Sequence, residues 1–292
     1  MPASRTSDGA VSRRTLLLGA GAGGAAVLGG AGYVLMPDRL RNRLPWTEDP
    51  YIPDAAEGVV RLESVRSEAR GRDVDLFTAV PAGHGDGAGL PVVVVLHGAS
   101  ATASDFQPFG LGRFLTAAVE GGAPPFVLAG ADGGVLRWEP DPNSADDPQR
   151  MVLTEMPQWL AERGFDADRR ALWGWSMGGY GCLRTAEAEP GWTRAVAAFS
   201  PALSEDDAVV DDADRLAGLP LGLWCGTEDS YYPAVMAFEA ALPQPPDIAS
   251  YSAGAHTRYY WNDHTLDAFE FLAARLRCSG QSLTDRRTSM RW

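Results

Sequence analysis

The run Pro91-Val92-Val93-Val94-Val95-Leu96 constrains the fold more than any other segment. Six apolar residues without a polar break leave no face for water. A strand made of them is covered on both sides, the mark of a parallel sheet rather than a half-exposed antiparallel one. Shorter apolar stretches at Phe126–Ala129, Ala171–Gly174, Ala195–Phe199, Leu221–Cys225 and Ile248–Tyr251 read as further strands. They alternate with helical patterns at Met151–Arg163, Tyr180–Glu189, Pro233–Leu242 and Thr265–Leu276. Such alternation predicts an α/β fold: a mostly parallel central sheet with helices on both faces. Ahead of it, Val59–Ser67 and Val74–Pro81 alternate apolar and polar residues around Ala69-Arg70-Gly71, as a half-buried antiparallel hairpin does. One domain over residues 58–277 is expected, with no internal repeat.

Within that pattern, Gly174-Trp175-Ser176-Met177-Gly178 fits G-x-S-x-G between a strand and a helix. A serine at such a corner is lifted out of the sheet with the helix N-terminus behind it, the arrangement of a nucleophile elbow. The small residues Gly174 and Gly178 suit a tight turn that passes close to other backbone. A serine hydroxyl needs a base, and the base an orienting acid. Of the four histidines, His256 follows the last strand in the loop Ser252-Ala253-Gly254-Ala255-His256, where a base belongs; His264 falls at the start of the final helix as a surface or capping residue. Leu221–Cys225 runs into Gly226-Thr227-Glu228-Asp229, and the spacing to the strand end favours Asp229 over Glu228 as the acid. The oxyanion donors are then the N–H of Met177, next to the nucleophile, and that of Ala99, in the loop His97-Gly98-Ala99-Ser100 after the valine strand. His97 is expected to prop that loop by hydrogen bonding rather than to move protons.

The flanks add compartment. Residues 1–36 contain Ser12-Arg13-Arg14-Thr15-Leu16-Leu17-Leu18 and then an apolar Gly/Ala stretch, which resembles a twin-arginine export signal. Its length from Leu16 to Met36 also suits an uncleaved membrane anchor, so membrane contact is expected only through residues 16–36. Either way the catalytic part is expected in the periplasm, the cell envelope or the medium. Residues 37–57 read as a linker and 278–292 as a loose tail. The net charge is −13 with no lysine, and dropping residues 1–45 removes six arginines and two aspartates, leaving about −17. With no basic stripe, nucleic acid is not an expected partner. Cys182, Cys225 and Cys278 fit no metal spacing. In an oxidising compartment one disulfide among them is possible, although Cys182 and Cys225 also suit small core positions.

The elbow, the Leu96-His97-Gly98 strand end, Gly226-Thr227-Glu228-Asp229 and the histidine loop together resemble the α/β-hydrolase superfamily. The stretch Gly254-Ala255-His256-Thr257-Arg258-Tyr259-Tyr260-Trp261 is similar to that of the putative-esterase family, which holds esterase D (S-formylglutathione hydrolase), feruloyl esterases and the antigen 85 mycolyltransferases. The resemblance covers residues 58–277. It implies Ser176, Asp229 and His256 as triad, Ala99 and Met177 as oxyanion donors, and no metal or organic cofactor. One departure is visible: the loop after Gly98 lacks the extra glycines of lipase-type oxyanion motifs.

The expected activity is that of an exported serine carboxylesterase acting on a small-molecule, glycan or lipid ester through an acyl-serine. Transfer of the acyl group to a sugar hydroxyl is the rival reading, and a non-catalytic cell-wall-binding relative the third. Segments 199–221 and 229–256 leave no room for a sizeable lid. In the loop 133–148, Trp138 is a candidate pocket wall and Asp141, Asp146 and Asp147 a candidate rim; the equal alternative is a solvated proline-rich surface loop with one packed tryptophan. Tyr231, Tyr232, Tyr259 and Trp261 are expected to gather near the triad. The acidic run 205–214 reads as a solvated loop.

Overall fold

The computed structural model describes residues 49–277. Eight strands form one sheet: β1 Val59–Ser67, β2 Arg72–Val80, β3 Pro91–Leu96, β4 Val127–Ala131, β5 Asp166–Trp175, β6 Val196–Phe199, β7 Leu221–Gly226 and β8 Ile248–Ser252. Their order is β1-β2-β4-β3-β5-β6-β7-β8. The β1–β2 hairpin and the β2–β4 pair are antiparallel, and every later pair is parallel. The main helices are α1 Leu111–Glu120, α2 Met156–Glu162, α3 Met177–Ala188, α4 Tyr232–Ala241 and α5 Arg258–Arg275.

The valine strand explains the layering. Val92, Val94 and Leu96 point into a core shared with α2, α3 and α4 (Leu160, Leu183 and Val235 belong to it). Val93 and Val95 point to the other face, into a core shared with α1 and α5 through Phe114, Leu115 and Phe269. All six residues of β3 are buried. Each buried valine stabilises by about 1.5–3 kcal/mol relative to exposure, so losing either helical layer would expose half of this strand at a cost the domain cannot bear. On the α1/α5 face an aromatic ladder crosses the sheet: Phe199 stacks on Trp224 at 4.9 Å and 12°, and Trp173 packs against Phe199 at 5.4 Å.

Several boundaries differ from the sequence expectation. The segment before β4, a 3-10 turn at Ala103–Asp105, a turn at Phe106–Phe109 and then α1, is a further helical stretch; α1 itself is amphipathic, but Pro108, Gly110 and Gly112 interrupt the pattern at its start. Leu111, Phe114, Leu115 and Ala118, spaced as one helical face, are buried against the sheet. β5 begins at Asp166 rather than Ala171, with a register shift opposite Pro91 and Val92 that accommodates its charged first half. The helix expected over Met151–Arg163 starts at Pro148 and passes through a π-turn at Met151–Glu155. α5 begins at Arg258, not Thr265. Cys182 and Cys225 are free, buried thiols, so no disulfide joins them, and burial pushes both upward in pKa, Cys225 to about 12. Cys278 lies outside the described residues, as do the export-type segment and the tail. Residues 49–57 have no regular structure but lie along the domain: Asn262 Nδ2 donates to Tyr51 O at 2.6 Å and Arg113 Nε to Ala55 O at 3.0 Å. No described helix is long and apolar enough to cross a membrane.

Candidate active site

Parallel strands deliver their following loops to one edge of the sheet, and every candidate residue sits there: Ala99 after β3, Ser176 after β5, Asp229 after β7 and His256 after β8. Ser176 occupies the corner itself, with φ 56° and ψ −123°. This is a positive-φ conformation that costs a non-glycine residue about 1–3 kcal/mol and persists only where neighbours fix it. Ser176 N–H donates to Phe199 O at 2.8 Å, and Ser176 C=O accepts from the N–H groups of Tyr180 (3.1 Å) and Ala202 (3.0 Å). The turn is also pressed against β3, since a Cβ on Gly178 would run into the Leu96 carbonyl, and one on Gly174 would meet Gly178 O at 2.5 Å. Backbone cannot step aside as a flexible side chain can. Gly178→Ala is therefore expected to destabilise by about 1–3 kcal/mol, read as a lowered midpoint in thermal or urea unfolding.

The base and acid reach Ser176 in one hydrogen-bonded chain. Ser176 Oγ lies 2.9 Å from His256 Nε2, and His256 Nδ1 lies 2.8 Å from Asp229 Oδ2. A carboxylate can only accept, so the imidazole carries its proton on Nδ1 and leaves Nε2 free to accept the serine proton. The Asp229 side chain is fully buried while that of His256 is 22% exposed. Asp229 Oδ1 is held separately by the N–H of Tyr231 at 2.9 Å. The imidazole stands between two aromatic rings, Tyr231 and Trp261, each with its centroid 5.0 Å away and edge-on. The competing residues lie elsewhere. Glu228 is exposed and ties only its backbone N–H to Gly254 O, at 2.9 Å. His264, now inside α5, faces Ser252 Oγ at 3.3 Å and Tyr260 at 4.6 Å between centroids.

Ala99 is exposed at the tip of the loop after β3, and Gly98 is close enough to Ser176 that a Cβ there would sit 3.4 Å from the serine Cβ. No acceptor among the described residues takes the Ala99 N–H. Met177 heads α3, where first-turn N–H groups have no intrahelical partner. Both groups are thus available beside Ser176. His97 is fully buried, and burial lowers its pKa. Its Nε2 accepts the N–H of Gly133 at 2.9 Å, so Nδ1 carries the hydrogen and donates to Gly98 O at 2.8 Å. Gly98 C=O and Ala99 N–H belong to one planar peptide unit and point in opposite directions, so the imidazole sets the direction of the Ala99 N–H.

A model of the Putative esterase family matches residues 67–229. The chain belongs to that family. It is a serine ester hydrolase. No curated protein matches the sequence. Among solved structures, a ferulic acid esterase superposes with a TM-score of 0.65 at 18% identity, over 75% of this chain and 98% of its own. An S-formylglutathione hydrolase from Agrobacterium tumefaciens gives 0.63 at 18%, over 77% and 98%. MPT51 from Mycobacterium tuberculosis gives 0.57 at 16%, over 75% and 100%. At these identities the likeness establishes the α/β-hydrolase fold.

In this esterase the loop 133–148 takes the packed-tryptophan form rather than that of a pocket wall and rim. Trp138 is fully buried and lines no open pocket, because its ring fills space that only Gly133 and Gly181 leave free. The three aspartates tie the loop to itself and to the hairpin. Asp141 accepts from Ser144 Oγ and Asn143 N–H, Asp146 pairs with Arg70 and Arg72, and Asp147 accepts the Arg150 N–H at 2.8 Å. Of the expected aromatic cluster, Tyr231 and Trp261 reach His256, whereas Tyr232 packs edge-on to Tyr251 at 5.6 Å. The acidic run 205–214 is more than solvated surface. It holds a turn of helix at Ala208–Asp211, and its Asp207 grips Arg137 through both carboxylate oxygens, at 2.9 and 2.8 Å. Nothing in the sequence marks Arg137 or Asp207, which are far apart along the chain. A groove of about 460 Å³ runs beside the Ala99 loop, lined among others by Ser100, Asp132, Gly134 and the exposed Val135. The esterase carries no group of three or more His, Cys, Asp or Glu placed to hold a metal ion among the described residues.

Proposed function

We propose that this esterase cleaves carboxylic esters through an acyl-Ser176 intermediate. The observation that carries the reading is the chain Ser176 Oγ–His256 Nε2–Asp229, at 2.9 and 2.8 Å. Ser176 Oγ attacks the ester carbonyl while its proton passes to His256 Nε2, and buried Asp229 stabilises the imidazolium. The carbonyl oxygen, now negative, is met by the N–H groups of Met177 and Ala99. Collapse expels the alcohol, which takes the proton from His256 and leaves Ser176 acylated. Water then attacks the acyl carbon with His256 as base, releasing the acid and restoring the hydroxyl. The presence of Ser176, His256 and Asp229 in one hydrogen-bonded chain supports catalysis over a non-catalytic binding role.

The connections after β6 and β7 hold only short helical turns and α4, with no lid-sized insertion, and that supports an open site. The groove beside Ala99 offers room for part of a small-molecule, glycan or lipid ester. The twin-arginine-like run in residues 1–36 supports export. The test is hydrolysis of p-nitrophenyl acetate, butyrate and longer esters, with a trehalose-like acceptor added in parallel. Turnover with a burst of nitrophenol and a transient acyl mass on Ser176 is expected. Acyl-sugar as the main product would turn the reading to transfer, and folded protein with neither turnover nor acyl adduct would overturn it.

A further inference from the structure

We propose that Trp138 is a positioning residue for the Ala99 oxyanion loop and that Arg137 locks it in place. The proposal rests on Ser176 as nucleophile and Ala99 as oxyanion donor. Among the described residues, the non-glycine positions with positive φ are Arg137 (54°), Trp138 (62°), Ser176 and Ser200 (42°). All follow the C-terminal ends of β4, β5 and β6, at the edge where Ser176 sits. Two such residues in succession, neither of them Asn, Asp or Gly, demand strong fixation from outside the loop.

That fixation is visible at both residues. The Trp138 ring is fully buried and meets His97 edge-on at 4.9 Å. Its Nε1–H donates to His97 O at 3.1 Å. Arg137 grips Asp207, donates through Nη2 to Ala202 O at 3.0 Å, and lies 3.8 Å from the Tyr180 ring centroid. Ala202 in turn donates its N–H to Ser176 O at 3.0 Å. The clamp therefore ends on the elbow itself.

Two successive peptide planes lead from His97 to the Ala99 N–H. The first carries His97 C=O and is fixed by the Trp138 indole. The second carries Gly98 C=O and is fixed by the His97 ring, which is itself oriented by Gly133 N–H. Both restraints thus come from the loop 132–139. The loop acts on the hole and leaves His256 untouched.

Reaction with an alkyl fluorophosphonate reads this directly. Ser176 Oγ bonds to phosphorus, the P–F bond breaks, fluoride leaves and the serine proton goes to His256, while the phosphoryl oxygen develops charge in the oxyanion hole. Trp138→Phe keeps an aromatic six-membered ring in the packed site and removes the Nε1–H together with the rest of the indole. Its phosphonylation rate constant is expected to fall about ten-fold. The labelled amplitude should stay at one per chain and the midpoint of the pH dependence should not move. Ester hydrolysis should lose kcat with KM within about two-fold. Arg137→Met, which keeps an unbranched stem but removes the guanidinium that lies over Tyr180 and grips Asp207, should show a smaller loss of the same kind and serves if Trp138→Phe does not fold. A rate constant within two-fold of wild type in the folded variants, or a loss seen only in amplitude, would overturn the proposal. Wild-type protein that is not labelled at Ser176 would instead remove the nucleophile assignment, and this proposal with it.

Discussion

Ser176→Ala and His256→Ala are each expected to lower kcat for ester hydrolysis by about 10⁵- to 10⁶-fold, and the double variant to lose no more than either single one. The reason is that the two atoms act as a unit. Ser176 Oγ at 2.9 Å from His256 Nε2 is a nucleophile only if the imidazole can accept its proton, and the imidazole has no work without the hydroxyl. A residual rate about 10³-fold over water should survive, because the Met177 and Ala99 N–H groups still face the carbonyl oxygen. His264→Ala is the control. Its imidazole sits against Ser252 and Tyr260 on α5, and kcat should stay within about two-fold of wild type. Steady-state kinetics on p-nitrophenyl butyrate checks all four variants. Comparable losses in the His256 and His264 variants would undo the assignment of the base.

What could be read from the sequence was what depends on nearest neighbours and chain order. β3 was legible because a run with no polar residue can only be covered on both faces. That Ser176, Asp229 and His256 come together was legible because each lies in the loop after a strand, and a parallel sheet carries all such loops to one edge. Asp229 over Glu228 followed from spacing, and burial of the one carboxylate beside exposure of the other agrees. The parts that were not legible are held by contacts between distant segments. α1 is preceded by Gly110 and has Gly112 in its first turn, and Gly112 is there because a Cβ would come within 2.6 Å of Glu57 O, a contact no local pattern announces. α5 opens with Tyr259-Tyr260-Trp261, residues without helical preference, and is fixed by Trp261 donating to Ser200 Oγ at 3.0 Å. Whether Trp138 walls a pocket or packs inside was not legible, because its burial depends on two glycines, Gly133 and Gly181, far apart along the chain.

Asp229→Asn should lower kcat/KM by about 10³- to 10⁴-fold with little loss of stability, and the geometry says why the effect is so large for an isosteric change. The two oxygens of Asp229 have different partners. Oδ1 accepts the Tyr231 N–H at 2.9 Å and Oδ2 faces His256 Nδ1 at 2.8 Å. An asparagine has one oxygen to offer. Turned toward His256, it would place its NH₂ against the Tyr231 N–H, donor against donor, in a buried site. Turned toward Tyr231, its NH₂ donates to Nδ1, which must then be the bare nitrogen, and the proton moves to Nε2. That tautomer cannot take the proton of Ser176. Tyr231 thus selects the unproductive orientation, and the negative charge that would stabilise the imidazolium is lost as well. Nitrogen-15 spectra of the imidazole should show the protonated nitrogen switch from δ1 to ε2 in this variant. Glu228→Gln, exposed and outside the chain of hydrogen bonds, should remain within about two-fold of wild type. An Asp229→Asn enzyme with near-normal kcat/KM and an unchanged tautomer would show that Asp229 is not the orienting acid.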